Sequence, residues 1–284
     1  MTKILDIINA IVNFYFAKRI SRSSAALAYY ITLTIFPLLI CLNAILANTG
    51  ITIIQILEEM KGFIPNDIIS VLESYILYIS ENNSPGLLWS GIILTLTTSS
   101  AAFRVLMNSI YDCVGEVRYD TWVGFILSFL LSILFMAVLY LGVVIMLTGQ
   151  WIFQRFNTIP QLLRFADSWK WIRFVVLFLL LYILITATYK MTIKKKKRKS
   201  YVINNTAFMV AAVLVLLSAA FSLAIEAITR YTLVYGSLVS MIILMLWLYF
   251  CGNVLIIGSF FCHYYIEKEF RKDQARLKSP EMSE

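Results

Sequence analysis

Residues 121–148 read TWVGFILSFLLSILFMAVLYLGVVIMLT, without a single Asp, Glu, Lys or Arg. At about 1.5 Å per residue a helix of that length crosses a hydrocarbon core of about 30 Å, and an uncharged apolar run of 18 or more residues reads as a spanning helix. Five further apolar stretches, at 25–47, 87–111, 171–190, 203–228 and 235–264, meet or exceed the same requirement, the last being long enough to tilt or to protrude. The pattern predicts an all-α polytopic membrane protein: a bundle of six transmembrane helices, with an N-terminal interfacial helix and an outer amphipathic helical segment.

Composition points the same way. The 284-residue chain is 60% hydrophobic and 14% charged, whereas soluble domains run near ~45–50% apolar and ~25% charged. No polar stretch is long enough to bury a core of its own, so the chain divides into an interfacial segment 1–22, a membrane domain 23–266 and a charged tail 267–284. The net charge of +8 gathers at the ends of the apolar stretches, where it is a topology signal rather than a nucleic-acid footprint. Cys41, Cys113, Cys251 and Cys262 lie within or beside apolar stretches and no pair has CxxC spacing, so neither a disulfide framework nor a metal site is expected. No cofactor is expected either, and no cleavable signal peptide is evident.

The distribution of basic residues sets the orientation. The flanks holding Lys3, Lys18, Arg19, Arg22, Arg118, Lys190, the run Lys194 to Lys199 and the tail carry 17 Lys and Arg, against 6 on the opposite flanks. Both termini are therefore expected in the cytoplasm. In 3–17 the apolar Ile4, Leu5, Ile7, Ile8, Ile11, Val12 and Tyr15 suit a helix lying in the interface. The segment 48–86, which falls on the outer side, carries Glu58, Glu59, Asp67, Glu73 and Glu81 against Lys61. Within it Asn66 is a helix cap for a stripe of Ile68, Ile69, Leu72, Tyr75, Ile76 and Ile79, which either covers the mouth of the bundle or lies on the lipid.

A few polar residues inside the apolar stretches need a reason to be there. Thr97, Ser100, Arg104, Asn108 and Tyr111 recur at three- and four-residue intervals on the second span and make a candidate polar path. The alternative is that Arg104 snorkels to the interface. Glu226, with Ser218 and Ser222 at four-residue spacing, is a candidate ion-coupling group, or else a local partner of Arg230. Pro37 in the first span, and Tyr235 with Gly236 at the start of the sixth, are candidate gating or packing positions. Lys194, Lys195, Lys196, Lys197, Arg198 and Lys199 form a basic run that anchors topology and contacts anionic lipid. His263 is the sole histidine, and no phosphate loop or nucleophile elbow occurs, so no catalytic residues are assigned and no enzyme is expected.

Three blocks carry a resemblance: AALAYYITLTIFPLL at 25–39, RVLMNSIYDCVGEVR at 104–118 and YGSLVSMIILMLWLY at 235–249. In order and spacing they are similar to the YihY/BrkB family of bacterial inner-membrane proteins, over roughly 10–265. The resemblance implies six spans, a bacterial cytoplasmic membrane and a role in transport. Family members have carried ribonuclease and virulence or serum-resistance labels, and lipid movement or ion exchange has been proposed for relatives. The lone His263 argues against a metal-dependent nuclease. The chain also departs from the family: where a Gly-Ala-Glu-Leu-Asn type sequence usually closes the last span, it reads Gly258, Ser259, Phe260, Phe261, Cys262.

The sequence thus predicts a membrane transporter moving lipids or other anionic amphiphiles. The alternatives are a scaffold binding lipids or partner proteins and a cation/proton exchanger working through Glu226. The partners expected are membrane lipids, with anionic lipid at the cytoplasmic face and no nucleic acid. The oligomeric state is not fixed by the sequence.

Overall fold

The computed structural model describes residues 12–46, 66–81, 84–114, 120–155, 160–193, 200–228 and 237–278, with the backbone alone over 44–46, 66–71, 146–155, 160–174, 222–228, 237–240 and 271–278. Lys194 to Lys199, Tyr235 and Gly236 lie outside the described residues, as do 1–11 and 48–65, and Glu226 falls where only backbone is described.

Among the described residues seven helices of 16 residues or more follow in order: α1 (Ile20–Leu46), α2 (Asn66–Glu81), α3 (Pro85–Val114), α4 (Thr121–Arg155), α5 (Pro160–Thr192), α6 (Ser200–Ile228) and α7 (Ser237–Lys278). No strand occurs among the described residues. Among the described residues six spans are long and apolar enough to cross a membrane: Ile20–Asn43, Pro85–Val114, Thr121–Ile145, Val175–Thr192, Ser200–Phe221 and Met241–Phe270. Helix is the form hydrocarbon imposes, because an unpaired backbone N–H or C=O has no water to turn to. Local sequence sets the boundaries. Ser84 accepts from the Leu87 amide at 3.2 Å and Pro85 follows as the first helical residue of α3, a position that needs no N–H donor.

At the N-terminal edge the helix over the described residues 12–17 ends at Lys18 and Arg19, and Arg19 takes the left-handed conformation (φ 51°) that terminates helices. The chain turns there, and α1 starts at once with Ile20, which is 1% exposed. At the other end α7 is one helix of 42 residues running on to Lys278, so the helix of the last span continues into the charged tail.

The six spans close into a ring. Helix α1 packs on α3, α3 on α4, α4 on α5, α5 on α6, α6 on α7, and α7 returns to α1. Small residues let the backbones approach. A Cβ placed on Gly91 of α3 would lie 2.8 Å from the Ile40 Cγ2 and 3.4 Å from the Pro37 carbonyl oxygen of α1. One placed on Gly258 of α7 would lie 2.6 Å from the Tyr189 hydroxyl and overlap the Val210 side chain. Helix α2 stands outside the ring and packs on α1 and α7: Tyr75 meets Phe36 edge-on at 5.4 Å, and Ile76 and Ile79 are buried while Leu77 and Tyr78 are exposed. Around the ring Ile93, Ile126, Leu179, Met209, Leu216 and Ile242 face outward, an apolar surface that suits lipid.

Gly258→Ala is expected to cost about 1–3 kcal/mol through overpacking, whereas Gly86→Ala, with nothing within 4 Å of the added carbon, is expected to be neutral or slightly stabilising. Thermal unfolding of the purified variants in detergent measures both, and Val210→Ala added to Gly258→Ala is expected to recover part of the loss.

Candidate functional site

Closing six helices into a ring leaves a space at its centre. A cavity of about 780 Å³ lies there, and every span contributes to its wall. Helix α1 supplies Leu27, Ile31 and Thr34; α3 supplies Ser99, Ala102, Phe103 and Leu106; α4 supplies Phe135 alone; α5 supplies Leu181 and Leu184. Leu214, Val215, Ser218 and Ala219 of α6 complete the wall with Trp247, Leu248, Cys251 and Leu255 of α7. The three hydroxyls in this wall donate to their own helices: Thr34 to the Tyr30 carbonyl at 2.7 Å, Ser99 to the Thr95 carbonyl at 2.6 Å, and Ser218 to the Leu214 carbonyl at 2.9 Å. The wall therefore presents hydrocarbon and a few hydroxyl lone pairs. On α6 the exposed Val215 and Ala219 belong to this wall.

Around the cavity the helices are laced by hydroxyl contacts. Thr34 bonds Thr98 across α1 and α3 at 3.0 Å. Between α3 and α4, Ser100 meets Ser128 at 3.1 Å, Ser99 meets Ser132, and Ser132 also donates to the Leu96 carbonyl at 3.3 Å. Tyr189 of α5, fully buried, donates to the Leu255 carbonyl of α7 at 2.6 Å. Near α1 a smaller cluster joins Tyr15 to Tyr249 (3.1 Å) and Ser21 to Tyr249 (2.9 Å), and partial burial holds the Tyr15 phenol above its ordinary pKa.

The stripe read from the sequence as a polar path does not stay together on the cavity wall. Ser99, not Ser100, lines the cavity, and Ser100 is taken up in the α3–α4 seam. Thr97 is exposed and returns its hydroxyl to the Ile93 and Leu94 carbonyls. Asn108 is exposed, Tyr111 is buried, and Arg104 lies half-buried with its guanidinium carbon 5.0 Å from the Phe125 ring centroid on the first turns of α4. Pro37 sits at the α1–α3 crossing, its carbonyl against Gly91, which is a packing position.

The closing residues of the last span are packed rather than open. Ser259 and Cys262 have no exposed surface, Ser259 donates to the Ile256 carbonyl at 2.6 Å, and Phe260 stacks on Phe14 of the N-terminal helix at 4.1 Å. His263 lies 3.8 Å from Glu267 one turn on. Among the described residues no three His, Cys, Asp or Glu side chains converge as a metal-binding group would.

The family model described as "Virulence factor BrkB" matches residues 12–282. The chain belongs to the BrkB family. A curated relative, named a ribonuclease-like protein, YfkH, of Bacillus subtilis (strain 168), is 28% identical over 240 residues, covering 83% of this chain and 86% of the relative. No solved structure matches the chain. The BrkB-family chain is thus a multi-pass membrane protein whose described spans enclose an apolar cavity.

What the sequence reading missed was the cavity wall. The only available signal was weak: Ala102, Leu106 and Ser99 share a face of α3 offset from the polar stripe by about one residue. Tyr189→Phe is expected to lose only about 0.6 kcal/mol, since a hydrogen bond within a membrane bundle contributes little beyond its alternatives. Tyr189→Ala is expected to lose about 3–5 kcal/mol through the void it leaves. Unfolding of the reconstituted variants separates the two.

Proposed function

We propose that this BrkB-family protein is a transporter of the bacterial cytoplasmic membrane, and that it takes the hydrocarbon tail of an amphiphile such as a lipid into the ring of spans. The cavity carries this reading. An ion passing through such walls would shed its hydration without replacement, at a cost of many kcal/mol. A hydrocarbon tail faces no comparable penalty, because it exchanges bilayer for a wall of the same polarity.

The volume bounds the ligand. At about 780 Å³ the space falls in the range of sites for single small ligands, about 300–1,000 Å³, so it encloses a tail while the headgroup stays elsewhere. The excess of basic residues on the flanks that carry the termini supports placing those flanks in the cytoplasm. No nucleotide-binding motif occurs in the sequence, so uphill movement would draw on an ion gradient or a partner. A non-enzymatic role accords with the single histidine, which sits beside Glu267 on α7 and takes no part in the cavity wall.

The test is translocation of a labelled lipid in proteoliposomes, comparing wild type, Ala102→Phe and empty vesicles, with and without a proton gradient. Ala102 is 3% exposed and lines the cavity, so a phenyl ring there occupies the proposed site. A rate above empty vesicles that Ala102→Phe removes, at an unchanged thermal midpoint, is the expected result. An Ala102→Phe rate equal to that of wild type would sink the cavity as the route.

A further inference from the structure

From the geometry of Arg104 we infer a second lipid site, independent of the cavity. It lies on the outer surface of the α3–α4 seam and binds the headgroup of an anionic phospholipid from the surrounding bilayer.

Among the described residues no acidic side chain is paired with Arg104. Arg104 sits in a span where charge is costly, and among the described residues its one recorded contact is the face of Phe125 at 5.0 Å. A ring face attracts the cation but leaves the five guanidinium N–H donors to find acceptors. The nearest described acids are Asp112, eight residues on along α3, about 12 Å along the axis and with an interaction of its own, and the exposed Asp120 at the start of α4; neither has a recorded ion pair with Arg104.

Depth brings those donors to a headgroup. Helix α3 has 30 residues, about 45 Å against a core of about 30 Å, so each end projects several ångströms. Arg104 is ten residues before Val114, and on this scale its backbone lies about 8 Å below the core boundary, within reach of an extended arginine stem. Phe125, over which the guanidinium lies, is in the opening turns of α4, on the same side of the bundle as the end of α3. The side chain therefore reaches toward that interface, not toward the ring centre, whose α3 wall is Ser99, Ala102, Phe103 and Leu106.

The neighbours suit the same ligand. Asn108, one turn closer to the interface on the same face, is exposed and offers amide donors. On α4, Trp122 lies one turn before Phe125, is 80% exposed and sits in the opening turn of the helix, at the level where indole rings favour the headgroup region. A planar cation, an amide and two outward aromatic rings thus share one patch facing lipid. A phosphodiester is the complementary group, since guanidinium binds phosphate through paired N–H donors. The other hydrated anion at that depth, free phosphate, has no tail to lie along Phe125 and Ile126, both exposed beside the cation.

Quenching by brominated lipid tests the site in the full-length protein. Wild type and Trp122→Phe are reconstituted in phosphatidylcholine vesicles holding a minor share of either phosphatidylglycerol or phosphatidylcholine brominated near the glycerol end of the chains. The difference between the two proteins isolates Trp122. That component is expected to report an enrichment of phosphatidylglycerol of about five-fold, the equivalent of about 1 kcal/mol per basic side chain at 1.4 kcal/mol per decade. Arg104→Gln is expected to abolish the enrichment, and neutralising Lys194 to Lys199 to leave it in place. Equal quenching of wild type by the two lipids overturns the site whatever the variants do. An enrichment that survives Arg104→Gln, that disappears with the Lys194 to Lys199 variant, or that excess inorganic phosphate removes overturns it as well.

Discussion

Everything in this molecule follows from the lack of water inside a bilayer. A backbone amide or carbonyl in hydrocarbon finds a partner in its own helix or pays several kcal/mol, and the same pressure acts on side chains. Thr32, Thr95, Thr188, Thr192 and Thr206 all return their hydroxyls to the carbonyl four residues earlier, at 2.7–2.9 Å. Polar residues are thereby carried through the membrane at small cost. Those that do reach across, Ser100 to Ser128 and Tyr189 to Leu255, lace helix to helix where hydrophobic driving force between spans is absent.

Ring closure turns this constraint into two distinct chemical surfaces. Inward, the spans present Leu, Ile, Phe and Ala to a space that excludes charge. Outward, the α3–α4 seam presents a cation, Arg104, at the edge of the hydrocarbon. The two occupy different positions on α3: Ser99, Ala102, Phe103 and Leu106 line the cavity, while Arg104 lies over Phe125 of α4. An apolar space and a cation are different problems, and the fold keeps the two apart.

Much of the fold was legible because length and charge suffice to mark a span: 121–148 could be little else, and the six observed spans fall on the six apolar stretches read from the sequence. Ends were less legible. The helix start at Ile20 depends on the backbone turn at Arg19, and the continuation of α7 to Lys278 on a polar segment with no apolar mark. The candidate site was least legible. Periodicity groups Thr97, Ser100, Arg104, Asn108 and Tyr111 along the second span, but it cannot say whether that side meets a cavity, a neighbour or lipid, since in a membrane both polar and apolar faces find acceptable surroundings. The cavity wall, built mainly of ordinary apolar residues from six separate helices, has no local signature at all.

Helix α7 has a mechanical consequence. As one uninterrupted helix of 42 residues it is about 63 Å long, roughly twice the thickness of the hydrocarbon it crosses. It is at once a stave of the ring, through Gly252 and Gly258, and a rod standing out from the membrane toward Lys278. A stiff rod gears its two halves together. Any tilt that admits a molecule between α7 and its neighbours swings the projecting end through a proportionate arc, and any force on that end works as a lever on the ring.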